Sequence, residues 1–101
     1  MASEAGWRGK NLVSIHGRIL GKIVDVLLDD AGRAEWLSVD TGGRLRSEQR
    51  LVPLSVAVTA GGDVMVPYGE DQVRSAPFAS TVNGTLSLKE RLGLIEHYGL
   101  A

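Results

Sequence analysis

Ser14, His16 and any of several aspartates are the side chains from which a hydroxyl nucleophile, a base and an orienting carboxylate could be assembled. A nucleophilic serine normally sits on a strained elbow flanked by glycines, and nothing of that form surrounds Ser14. His16 precedes a turn, and His97 lies near a helix end, where positive charge is mildly favoured. The two could meet only through folding, so both read as structural. A hard-cation site is the next candidate, from Asp25, Asp29, Asp30 and Glu35. Calcium takes about six to eight oxygens from a shaped loop, and the required ligand spacing is missing. Asp30 is expected to start a turn, and Asp25 to face solvent or a backbone amide. Gly42-Gly43 and Gly61-Gly62 lack the following Lys-Ser/Thr of a phosphate loop and read as turns. The chain has no cysteine, which excludes disulfides, thiolate metal sites and cysteine nucleophiles and fits a cytoplasmic location. No catalytic, metal-binding or cofactor-binding residues are expected, and no enzyme activity.

Binding chemistry fares better. Arg44, Arg46 and Arg50 form the densest basic stretch, but Asp40 and Glu48 dilute it and the net charge is -1. A solvated loop fits this better than a phosphate-binding face, so no DNA partner is expected. Trp36, Tyr68, Phe78 and Tyr98 are core residues or partner contacts, since aromatics dominate both. Trp36 shares a strand face with Ser38 and Asp40, opposite Leu37 and Val39. If Leu37 and Val39 face the core, Trp36 lies outside as an interface anchor. Leu88, Leu92, Ile95 and Tyr98 form a second candidate, an apolar helix face that packs on its own sheet or across a dimer.

The elements that position these residues are mostly strands. Residues 11–15 are a short candidate. Residues 23–29 alternate, with Val24, Val26 and Leu28 on one face and Asp25, Leu27 and Asp29 on the other. Gly17 and Gly21 permit tight turns before this strand. Residues 30–33 read as a turn leading to a strand over 34–40, completing a hairpin. Residues 50–54, continued by 56–58, pair in a second hairpin with 64–68 across the 60–63 turn. Pro53 and Pro67 imply strand ends or edges. Residues 76–78 close the sheet. Ser87 and Glu90 form a capping box, a helix follows over residues 88–98, and Gly99 stops it with Leu100 folding back on Ile95. The expected organisation is a flexible lead-in over 1–10, a β domain over 11–79, and a linker and helix over 80–101. One domain of 101 residues has a modest core that a second copy would support. No apolar run nears the ~20 residues that span a bilayer, so no membrane insertion is expected.

Several segments together resemble the PRC-barrel domains, named for the H subunit of the photosynthetic reaction centre. Residues 21–29 (GKIVDVLLD) are similar to the opening of that family, and residues 35–42 (EWLSVDTG) to its second strand and turn. Residues 51–54 (LVPL), 66–68 (VPY) and 72–77 (QVRSAP) resemble its later strands and close. Residues 86–100 resemble an extension of stand-alone bacterial members. The resemblance implies a mostly β chain, a small antiparallel barrel with one C-terminal α-helix, often dimeric and serving as an interaction module. Members include the reaction-centre domain, a domain of a ribosome-maturation factor and archaeal cell-division partners. The missing membrane helix and missing N-terminal domain argue against the first two roles. The leading expectation is a homodimeric adaptor that binds an unidentified protein. The alternatives are a small-ligand-binding regulatory barrel and a ribosome- or RNA-associated factor.

Overall fold

Two runs of branched apolar residues joined by a turn organise the sheet. Residues Ile19–Leu28 (β2) and Ala34–Asp40 (β3) pair antiparallel, with Ile23 opposite Val39 and Val26 opposite Leu37. The computed structural model describes residues 4–29, 31–42, 48–77 and 86–100, and the side chains of all of these except 4, 5 and 60. Asp30, Gly43, Arg44, Arg46 and Phe78, singled out above, lie outside it, as does most of the linker. Asp29 organises the β2–β3 turn, its carboxylate accepting the amides of Ala31 and Arg33 at 2.9 Å each. Gly32 supplies the positive φ of 79° that completes the turn.

The expected alternation of β2 does not hold. The ladder shifts register between Ile23 and Asp25 and again between Leu27 and Leu28. An extra residue reverses which side chains point inward. The buried side chains of β2 are therefore Leu20, Ile23 and Leu27, while Val24 and Leu28 are exposed.

Asn11–Val13 (β1) continues the sheet beside β2, and Gln49–Pro53 (β4) lies beside β3. Val58–Ala60 (β5) and Asp63–Met65 (β6) form a hairpin, and the strand order is β4-β3-β2-β1-β6-β5. Two expectations are corrected. Residues 56–58 do not extend β4, because the chain turns after Pro53 with the Ala57 amide on the Leu54 carbonyl at 3.0 Å; β5 then lies at the far edge. The sheet is not purely antiparallel, since β1 and β6 run parallel. Among the described residues it is a six-stranded sheet with β4 and β5 as its edges, not closed into a barrel.

Trp7 and Gly9 also make contacts with the sheet region. A single 3-10 turn over Glu4–Trp7 packs Trp7 against the core, and the Gly9 amide donates to the Ile23 carbonyl at 2.8 Å. Glu70–Arg74 (α1) is a short helix, missed in the sequence because one turn and a half has no measurable period. Leu88–Tyr98 (α2) forms as expected: Ser87 and Glu90 make the reciprocal capping box. Gly99 takes φ 67°, and the Leu100 amide reaches the Ile95 carbonyl at 2.9 Å.

Gly21 is not a turn residue. A side-chain carbon there would sit 2.1 Å from the Asp40 carbonyl oxygen on β3. Backbone on the neighbouring central strand cannot yield as a flexible side chain would. Gly21→Ala is expected to destabilise the fold by about 2–4 kcal/mol, read as a lower denaturant midpoint. A midpoint within error of the parent would show that β2 and β3 have room to separate.

Candidate functional site

The strands leave one sheet face to be covered at β3, and α2 covers it. Leu94 and Tyr98, four residues apart, are the buried residues of the helix. The Tyr98 hydroxyl donates to the Leu51 carbonyl on β4 at 2.6 Å. Its ring lies 4.8 Å from Tyr68 and 6.5 Å from Trp36, centroid to centroid. His97 sets its ring edge against Tyr98 and, through Nε2, donates to the Gln72 carbonyl of α1 at 2.6 Å. Gln72 returns a bond to the His97 carbonyl at 3.4 Å. His97 is thus a joint between two helices rather than a residue on the polar side.

Trp36 therefore does not lie outside. It is only 2 % exposed, although Leu37 and Val39 on the other face are also buried. The premise of a half-buried strand fails because β3 is central and covered on both faces. A charged side chain at position 36 would be forced into the core beneath α2, so it cannot report on association alone. The predicted helix face also divides. Tyr98 turns inward and Ile95 is partly buried, but Leu88 and Leu92 are 70 % and 55 % exposed.

Between α2 and the tip of the β2–β3 hairpin lie two clefts that share Asp29, Glu35 and Trp36 as walls. The smaller, about 110 Å³, lies among Leu28, Leu86, Leu88 and Arg91. The larger, about 330 Å³, is bordered by Arg33, Pro53, Ser55, Ile95 and Leu100. Glu35 is the post between them: one carboxylate oxygen accepts the Trp36 indole N–H at 2.9 Å and the other pairs with Arg91. Leu28, 52 % exposed, lines the smaller cleft together with Leu88. Leu28 and Arg91 were not foreseen. Leu28 is turned outward by a bulge that the alternation does not announce, and Arg91 looks like any surface cation until Glu35 is placed beside it.

The residues considered for chemistry are spent on structure. The buried Ser14 hydroxyl accepts the amides of His16 and Arg18, both at 3.2 Å, which closes the β1–β2 turn. The sequence suggests no such turn cap. Asp25 accepts its neighbour Val26 amide at 2.8 Å and pairs with Arg8 at 2.6 Å. Arg50, expected in a solvated loop, is buried and donates from Nε to the Arg74 carbonyl at the end of α1, 3.1 Å away. Among the described residues, no group of His, Asp and Glu is arranged to hold a metal ion.

The order of these strands and the motifs on them meet a direct comparison: residues 6–73 match the model of the PRC-barrel domain family, well over half of the chain. The chain belongs to the PRC-barrel domain family. A comparison with curated proteins finds no match. In this PRC-barrel protein the matched stretch ends within α1, so α2 and the clefts it borders combine the family domain with a segment beyond it.

Burial pushes the Tyr98 hydroxyl well above its ordinary pKa of 10, with Tyr68 adding to the shift and Arg50 opposing it. Burial raises Tyr68 as well. The native chain then holds these protons where the unfolded chain has lost them. Stability from this source is complete below about pH 10 and falls as the pH climbs from there towards the native value. Tyr98→Phe is expected to cost about 1–2 kcal/mol near neutrality, because the Leu51 carbonyl loses its donor. It should also flatten the alkaline decline, as measured by urea unfolding between pH 8 and 11. An alkaline slope as steep as the parent's would mean that Tyr98 is not the group responsible.

Proposed function

We propose that this PRC-barrel protein is a non-catalytic interaction module of the cytoplasm, a self-associating adaptor that holds a protein partner on the face between α2 and the β2–β3 hairpin. The observation that carries the reading is that exposed Leu28 and Leu88 line one cleft together with Trp36 and the Glu35–Arg91 pair. Apolar side chains beside a rigid, partly buried ion pair are the composition of an interface centre with a polar edge. PRC-barrel domains often serve as protein-interaction modules, which supports the reading. Among the described residues no helix is long and apolar enough to cross a membrane.

A second reading, a small-ligand-binding regulatory module, is favoured by the cleft of about 330 Å³, where Arg33, Asp29 and Glu35 face Pro53, Ile95 and Leu100. That size is at the lower end for ligand pockets. The net charge of -1 weighs against a ribosome- or RNA-associated role.

Affinity capture from source lysate with the parent and with Leu28→Glu separates these readings. An adaptor retains one protein in near-stoichiometric amount and loses it with Leu28→Glu, while the exposed substitution leaves the melting temperature nearly unchanged. Identical captures by both proteins would contradict the proposed face. A metabolite that raises the melting temperature, with no protein captured, would favour the ligand-binding reading.

A further inference from the structure

Leu88, Leu92 and Ile95 follow the i, i+4, i+7 spacing of a helix seam, distinct from the Leu94 and Tyr98 pair that faces the core. Single exposed leucines are ordinary. A seam is not, because its spacing repeats the pattern by which one helix packs on another. The charges beside it are informative. Lys89 and Glu96 are exposed, seven residues apart on the same flank of the seam, and neither side chain has an ion-pair partner among the described residues. They are two helical turns apart, too far to pair with each other. Arg91, on the opposite flank, is already engaged by Glu35.

A single arrangement satisfies these groups together. When two such helices pack antiparallel about a twofold axis, flanking positions of one type face the same type on the partner. Lys89 then meets Glu96 of a second copy and Glu96 meets its Lys89, while Leu92 packs against the other Ile95. A parallel pair would turn this flank towards the opposite flank of the partner, bringing Glu96 to an Arg91 that Glu35 already holds and leaving Lys89 without a carboxylate. We propose that the occupant of this ridge is a second copy of the same chain, with the two α2 helices antiparallel. The proposal rests on the interaction-module reading above and specifies its self-association.

Neither charge is placed to stabilise its own helix. Lys89 lies in the first turn and Glu96 in the last, each on the unfavourable end of the helix dipole. Lys89→Glu and Glu96→Lys should therefore each firm the helix, yet each places two pairs of like charges across the twofold contact. Sedimentation equilibrium over a wide concentration range tests this with the parent, the two single variants and the double variant. The expected result is a parent dimer, dissociation constants raised about tenfold or more by each single change, and near-parental association in the double variant. The chain has no cysteine, so Lys89→Cys and Glu96→Cys introduce unique thiols. A mixture of the two should cross-link mainly to each other, whereas a parallel pair, which puts these positions of the two copies on opposite sides of the seam, gives few links of any kind. A parent that stays monomeric, single variants that associate as tightly as the parent, or a double variant no better than the singles would overturn the proposal. A monomeric parent that still captures a protein through Leu28 would overturn the α2 pairing while leaving the interaction module standing.

Discussion

A central strand with two buried faces requires two covers, and the sheet can supply only one. β3 buries Leu37 and Val39 on one side and Trp36 and Ser38 on the other. The first pair joins the apolar cluster with Leu12, Ile23 and Val64, and Trp36 joins the same cluster with Leu94 and Tyr98 of α2. The second depends on α2, whose position is set by the Tyr98 hydroxyl on the Leu51 carbonyl and by the tilted ring contact of Tyr98 with Tyr68. A helix of 11 residues is marginal by itself, so its order comes from this docking. The clefts, the Glu35–Arg91 pair and the outward ridge of α2 all exist only because that helix is held there.

The polar side chains fit the same economy of a small fold. Ser14 and Asp29 shape turns, Asp25 ties the lead-in to β2 through Arg8, and Arg50 satisfies the end of α1. Local side-chain to backbone bonds of this kind replace water at turns and helix ends that a modest core cannot bury deeply. Where the family domain meets α2, the exposed side chains include the apolar Leu28, Leu88 and Leu92.

Much of this was legible in the sequence where the signal is local. The capping box at Ser87 and Glu90, the glycine stop at Gly99 and the β2–β3 hairpin are written in adjacent residues, and the structure places each of them. The family motifs led to the family that the match over residues 6–73 shows, and to a mostly β chain with a C-terminal helix, though not to the open sheet or its parallel pair. The failures were non-local. A bulge at Val24 is a property of two strands, so alternation along one of them mispredicts Leu28. The burial of Trp36 depends on a helix more than fifty residues later. The helix face of Leu88, Leu92, Ile95 and Tyr98 could only be left between the sheet and a second copy, because a helical period does not say which of two adjacent apolar stripes the sheet will claim. Gly21 reads as a turn glycine until Asp40 lies across from it.

The central claim is that α2 is part of the folding unit although it lies beyond the family-matched segment. Native-state hydrogen exchange of the α2 and β3 amides tests this directly. If the helix is the second cover of β3, the Leu94 and Tyr98 amides exchange only through the same global opening that releases Leu37 and Val39. Release of the α2 amides at a much lower opening free energy, with β3 still protected, would show that the sheet stands without its helix and would contradict the account.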